Sequence, residues 1–461
     1  MNKPTPAQVR HIRRTLLWRI HLWAALIASP FAVVACLTGL LYAFTPQIEK
    51  SLYGRLDRVA PAERRLPLDE AVAAARLVAP SGFVLHSVVP AHGPTDAVRV
   101  AFLPPAAPVG HAGHGASVAS PKAPAFLRPN FGIPGRATVV YVDPYTAEVT
   151  GVLPEAERFS NWARRLHSSL MQGDGWRWMI ELGASWMMVM LLTGIVLWWP
   201  GSGQAGLPAR GATGRTAWRQ WHAFVGVALS LVSLAILSTG LTWSRTAGSQ
   251  IRWARDVTGQ TPPRIPATFA SVVPEGVGMM SWEQALQAVA AQSPDSVTQI
   301  MPPTGPTGYW RVNQLEKTGQ PTRSFDLLLD AYSGRPLYRS GWAEQTAFGK
   351  ATAIGIPFHR GEYGLWNQAL LVLFGAGILF SLISGWTMFF KRWKRGQPVL
   401  PSSMPDAWRH ASLWAWPTGA VLMLAMPLLA ATALPVALAE AFAAWRASRR
   451  ASWRIDRAGA V

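Results

Sequence analysis

The chain alternates between long apolar runs and mixed segments. Four runs of about 20 residues or more stand out, at 20–44, 177–199, 220–243 and 366–390. A helix of that length crosses the roughly 30 Å hydrocarbon layer of a bilayer. A fifth apolar stretch, 412–445, is broken by Pro417, Pro427 and Pro435, and a basic tail, 446–461, follows it. The charge of that tail favours a hairpin of two short spans over a single one. Between the first and second runs, and again between the third and fourth, the period changes. "LDEAVAAARLVA" (68–79) and "SWEQALQAVAAQ" (281–292) carry helical apolar spacing. Short strand-like runs follow: "FVLHSVV", "AVRVAFL" and "ATVVYVD" in the first segment, "VTQIM", "GYWRVNQ" and "SFDLLLD" in the second.

The two halves share one plan. His21 is followed 17 residues on by Thr38, Gly39 and Leu40, and His222 at the same spacing by Thr239, Gly240 and Leu241. The last strand of each mixed segment ends in a similar turn, "DPYTA" at 143–147 and "DAYSG" at 330–334. A second histidine follows in each half, His167 and His359. A return run then ends in "LLTGIVLWW" (191–199) or "LISGWTMFF" (382–390). The unit is span, small α+β segment, histidine, span. Both copies start on the same side, so the repeat is parallel, about an axis along the membrane normal.

Charge sets the orientation. Residues 1–19 hold five Lys/Arg and no acid, 200–219 hold three and none, and 391–411 hold five against Asp406. The segments 45–181 and 244–365 are nearly balanced, with 14 bases against 12 acids and 11 against nine. This is the positive-inside pattern. It puts 1–19, 200–219 and 391–411 in the cytoplasm and the two long segments outside, in the periplasm of a bacterial inner-membrane protein. The net charge of +19 is thereby assigned to topology and not to nucleic acid. One cysteine, Cys36, excludes an intrachain disulfide framework and a thiolate-held iron–sulfur cluster.

The His21 and His222 spans with their Thr-Gly-Leu ends, the Asp-x-Tyr turns, and His167 and His359 before the return spans together resemble the PepSY-associated transmembrane helix family over about residues 10–395. The resemblance implies a mainly α-helical transmembrane bundle with two small α+β PepSY-like periplasmic domains, at 45–176 and 244–365. It also implies haem binding in the membrane and, in some members, reduction of ferric siderophores on the periplasmic side. The Pro-, Ala- and Gly-rich stretch 104–129 is an insertion outside the common pattern.

An ionisable residue inside a span is a functional candidate. His21 and His222 lie near the cytoplasmic start of outward-going helices, and His167 and His359 near the external start of inward-going ones. The rise along a helix separates the two levels by about 27 Å. Two neutral imidazoles at one depth suit the two axial positions of a haem. The expected pairs are therefore His21 with His222 and His167 with His359, ligating two non-covalent b-type haems. Zinc usually takes three or four ligands, and only Glu362 stands a helical turn from any of the four histidines, His359. Arg19 and Arg219 are candidates for haem propionates, although the positive-inside pattern alone would place them there.

The expected function is di-haem electron transfer to a ferric siderophore or other iron chelate. No flavin or nicotinamide site is visible, so the donor is quinol or a separate cytoplasmic reductase. The alternatives are a permease for iron chelates, which needs polar mid-membrane residues that are scarce here, and a PepSY-type membrane interaction or assembly protein, which leaves four histidines without a role. "GSGQAG" at 201–206 follows a span instead of a strand and is read as a loop. "HAGHG" at 111–115 is at most a weak metal site. His410 is read as an interface residue, and Met187, Met188 and Met190 as helix or lipid contacts.

Overall fold

The computed structural model describes residues 4–105, 126–127, 132–199, 208–293, 296–315, 320–394 and 407–458, with side chains up to 446 in the last of these. The HAGHG and GSGQAG stretches, most of the 104–129 insertion, and 395–406 of the 391–411 loop lie outside the described residues.

The chain is mostly helical, with several apolar helices and one β-sheet region. The first helix, α1 (Pro6–Ala43), begins at a capping box. The Thr5 hydroxyl accepts from the Gln8 amide, and the Gln8 side chain accepts from the Thr5 amide. Short helices α2 (Thr45–Leu52) and α3 (Gly54–Asp57) lead to α4 (Leu68–Val78) and the strands β1 (Val84–Val89), β2 (Val98–Leu103), β3 (Thr138–Val142) and β4 (Val149–Pro154). The chain returns through α5 (Phe159–Ser169) and α6 (Trp178–Trp198). The second half repeats the order with α7 (Gly214–Ala228), α8 (Ser230–Leu241), α9 (Thr246–Val257) and α10 (Trp282–Gln292). The strands β5 (Thr298–Met301), β6 (Tyr309–Gln314), β7 (Phe325–Asp330) and β8 (Pro336–Gly341) follow, then α11 (Ala347–Arg360) and α12 (Leu365–Trp393). The chain ends with α13 (Ala415–Ala425) and α14 (Pro427–Ala458).

Among the described residues four helices are long and apolar enough to cross a membrane, or five with the bent pair α7–α8. The chain is a multi-pass membrane protein. The third span is therefore not one rod. It bends by 57° between Ala228 and Ser230, where the Ser230 hydroxyl donates to the Val227 carbonyl and competes with the helical ladder. The 412–445 stretch forms an unequal pair. At 11 residues α13 rises only about 16 Å, whereas α14 is of spanning length and apolarity over Pro427–Arg446. The bundle core is built from small residues of α1, Ala24, Ala28 and Ala32, against Leu182, Trp186 and Met190 of α6. All three methionines of α6 singled out by sequence, Met187, Met188 and Met190, are buried in this core.

The strands of the two mixed segments do not form separate sheets. They join in one eight-stranded antiparallel sheet of order β4-β3-β2-β1-β5-β6-β7-β8. Its seam pairs Val88 of β1 with Ile300 of β5, and the buried Gln299 amide donates to the Ser87 hydroxyl across it at 2.7 Å. Joining at β1 and β5 removes two open edges that separate sheets would have left unpaired. One face is covered by α4 and α10, whose Val72, Ala75, Ala285 and Val289 pack on Val88, Val100, Val140, Ile300, Val312 and Leu327. The two covering helices cap each other. Asp69 accepts from the Trp282 and Glu283 amides at 3.0 Å each, and Glu283 accepts from the Leu68 amide at 2.9 Å.

The DPYTA and DAYSG turns are built alike. Asp143 accepts from the Tyr145 amide, and Asp330 from the Tyr332 and Ser333 amides. Each tyrosine hydroxyl then donates to a proline carbonyl, of Pro94 at 2.7 Å and of Pro306 at 2.9 Å. Arg158, just before α5, ties the sheet to the bundle. It binds Asp57 at 2.6 Å, Glu49 at 3.1 Å and the Tyr141 hydroxyl at 2.7 Å. Burial of that hydroxyl pushes its pKa up to about 12, so it stays protonated.

Candidate functional site

Four helices of the bundle carry the four histidines, and each histidine is fixed by a neighbouring helix, with α1 both carrying one and fixing another. His21 on α1 meets α6, where its Nδ1 lies 3.0 Å from the Met190 carbonyl and 3.1 Å from the Thr193 hydroxyl. His222 on α7 meets α12 in the same way, 3.0 Å from the Ser381 carbonyl and 2.9 Å from the Ser384 hydroxyl. His359 on α11 meets α8, 3.0 Å from the Ile236 carbonyl and 3.1 Å from the Thr239 hydroxyl. His167 on α5 meets α1, 2.9 Å from the Thr38 hydroxyl.

The glycine after each hydroxyl makes room for the ring. A Cβ at Gly39, Gly194, Gly240 or Gly385 would lie 3.3, 3.2, 3.1 or 3.7 Å from the Cε1 atom of His167, His21, His359 or His222 respectively. The first three contacts are tighter than ordinary van der Waals packing, so a side chain there would have to displace the imidazole, whereas the fourth is an ordinary contact.

These contacts decide the tautomer. A carbonyl oxygen can only accept, so Nδ1 must carry the proton. The Thr38, Thr193, Thr239 and Ser384 hydroxyls already donate to carbonyls of their own helices, which leaves their lone pairs to receive Nδ1–H. Nε2 is then the free base on each ring. Among the described residues none of the four Nε2 atoms has a hydrogen-bond partner.

His21 and His222 stand together, with ring centroids 6.3 Å apart and planes at 87°. A metal holds an imidazole nitrogen at about 2.0 Å, and that nitrogen lies about 1.15 Å from the centroid of a five-membered ring of ordinary bond lengths. Two imidazoles facing one metal from opposite sides thus have centroids about 6.3 Å apart, which is the separation observed. His167 and His359 are fixed near the far ends of α1 and α8, at Thr38 and Thr239. The helices α5 and α11 that carry this second pair are short and precede the return spans, so these histidines lie before those spans and not within them.

Arg19, expected as a candidate for a haem propionate, meets a partner within the chain. Arg19 is buried and engages Glu440 of α14, with a shortest contact of 2.5 Å, and Trp23 donates to the same carboxylate at 2.6 Å. Its charge is compensated from within the chain, which removes the reason to assign it to a propionate. His410 offers its carbonyl to Arg13 at 2.7 Å and stays apart from the four-histidine arrangement. Sequence reasoning named Thr38 and Thr239 as part of the repeat without a role for their hydroxyls, and it did not single out Thr193 and Ser384. The signal was a hydroxyl–glycine pair near one end of each of four runs.

No curated protein matches the chain. Residues 18–392 match the family model described as PepSY-associated TM region. The match spans all four histidines and their anchoring residues. The chain is a multi-pass membrane protein that belongs to the PepSY-associated TM region family.

Proposed function

We propose that the protein is a bacterial inner-membrane electron-transfer protein. In this reading it holds two b-type haems, one between His21 and His222 and one between His167 and His359, and reduces a ferric siderophore or another ferric chelate in the periplasm to release Fe(II). The observation that carries the haem reading is the His21–His222 pair, 6.3 Å between centroids, with each Nδ1 bound to a carbonyl so that each Nε2 is a lone-pair donor. Among the described residues no three His, Cys, Asp or Glu side chains are grouped to hold a bare ion, which weighs against zinc, a metal that usually takes three or four ligands. A flat macrocycle supplies the missing four ligands itself.

Haem iron, when bound, supplies one-electron transfer. The chain's own part is to position and insulate. The carbonyls hold each imidazole in one tautomer, the glycines let it lie against its helix, and apolar helices keep water from the ligands. Each pair takes one histidine from each half. That division, the mirrored strand order about the β1–β5 seam and the four hydroxyl–glycine pairs support a parallel two-fold repeat with a PepSY-like domain in each half. The positive-inside pattern supports a cytoplasmic N-terminus and a periplasmic sheet. The reductase activity rests on the family resemblance, with quinol or a cytoplasmic reductase as donor.

The test is a pyridine haemochrome assay on protein made in haem-replete cells, followed by anaerobic mixing of dithionite-reduced protein with ferric siderophores and a ferrous-specific chelator. About two haems per chain and capture of Fe(II) are expected. Absence of haem overturns the whole reading. Haem without reoxidation by hydroxamate, catecholate or citrate iron complexes overturns the reductase part alone.

A further inference from the structure

The seam of the sheet carries a second polar site that the four histidines do not use. Ile300 and Val312 point into the core beneath α4 and α10. Their neighbours Met301 and Arg311, paired across β5–β6, turn to the opposite face by strand alternation. On β1 the register slips between Leu85 and Ser87, and His86 is the extra residue. A bulge of this kind re-aims a side chain. A cavity of about 350 Å³ lies here, lined by His86 from the first half and by Thr304, Tyr309 and Arg311 from the second.

Two buried atoms beside this cavity have no partner. They are Nε2 of His86 and Nε of Arg311. The Arg311 guanidinium reaches Asp326 only at 4.0 Å, through Nη2, so its Nε remains unused. A buried donor without an acceptor is costly and is normally satisfied by protein, water or ligand.

The charge of the site selects the ligand. Burial, then Arg136 and Arg311, lower the pKa of His86, so its imidazole is neutral at pH 7. Arg311 is the guanidinium that lines the cavity, and with Arg136, which acts on His86 from outside the lining, it disfavours a bare cation. With its proton on Nε2, the neutral His86 imidazole donates alongside Nε–H of Arg311, and two such donors suit the two oxygens of a carboxylate. Leu85 and Pro302 line the same cavity and offer nothing to the extra oxygens of a tetrahedral phosphate. The volume suits a small molecule.

We propose that this seam cavity binds a small organic carboxylate through Nε of Arg311 and Nε2 of His86, one group from each half of the sheet. The site is independent of the haem reading. The test is calorimetric titration of the purified full-length protein with succinate, and with inorganic phosphate as the second arm. Saturable succinate binding is expected. Arg311→Gln should weaken it about tenfold or more, His86→Gln should also weaken it, and Asp326→Asn should tighten it by removing the competing carboxylate. Should Arg311→Gln lose its cooperative melt, His86→Gln and Asp326→Asn decide. The proposal is overturned if succinate shows no saturable heat, if phosphate binds and succinate does not, or if the folded variants bind succinate as the wild type does. Haem absorbance should be the same in all of them, so this outcome is separate from that of the haem assay.

Discussion

A hydroxyl followed by glycine governs each imidazole. The hydroxyl takes Nδ1–H, and the missing Cβ leaves space for Cε1. The four glycines are not equivalent, and this grades the outcome of substitution. At Gly240 a Cβ meets His359 at 3.1 Å, while at Gly385 it meets His222 at 3.7 Å. Gly240→Ala is expected to deplete the haem at the His359 end, and Gly385→Ala to retain its own, as read by haemochrome stoichiometry. His21→Ala and His222→Ala should each remove one and the same haem, and the double variant no more. If His21→Ala and His167→Ala remove the same haem, the pairing is wrong. Thr239→Val leaves the Ile236 carbonyl in place, so a loss of about tenfold in haem retention, the low end for such an outer partner, is expected. The histidines were legible because an ionisable group in an apolar run has few other uses. The hydroxyls were not, because threonine and serine in such helices routinely bond their own backbone. These also do so.

At the level of elements, a largely buried ion pair adds to the apolar packing that holds the C-terminal helix to the bundle. Arg19 and Glu440 are 8% and 20% exposed. Glu440→Ala leaves a guanidinium in low dielectric without its carboxylate and should cost about 3 kcal/mol, seen as a lower Tm in detergent. The double change Arg19→Met, Glu440→Leu should recover most of that loss. If the single variant melts as the wild type does, α14 is held by apolar contacts alone. A second prediction concerns the DAYSG turn. Burial alone would raise the pKa of Asp330, but hydrogen bonds from Ser333, Tyr332 and Val272 outweigh it and hold the pKa below the usual value. A lowered folded pKa stabilises above the unfolded value, about 3.9, and the contribution fades as pH falls through the folded one. The Tm difference between wild type and Asp330→Asn should be constant near neutral pH and shrink below about pH 4. A difference that widens on acidification would contradict this assignment. Helices α4 and α10 were legible from their spacing of apolar residues. The merging of their sheets was not, because strand alternation reports which face is buried and not which neighbour a strand pairs with.

The whole molecule sets four anchored histidines along its helical bundle and joins its strands in one sheet. A reporter after Lys394 is expected in the cytoplasm and one inserted near Gly115 in the periplasm. The reverse result would reverse the direction of the proposed electron flow. By itself the sequence determined that the chain crosses a membrane several times, and it offered a shared plan for the two halves and a depth for each histidine as expectations. Those properties follow from length, local period and spacing along a single helix, all of which are one-dimensional. Only the tertiary structure decided that His21 and His222 stand 6.3 Å apart, that Arg19 is answered by Glu440, more than 400 residues away, that the third span bends, and that eight strands share one sheet. Each of these depends on which surfaces meet when apolar faces pack and buried polar groups find partners, and separation along the chain places no constraint on that choice.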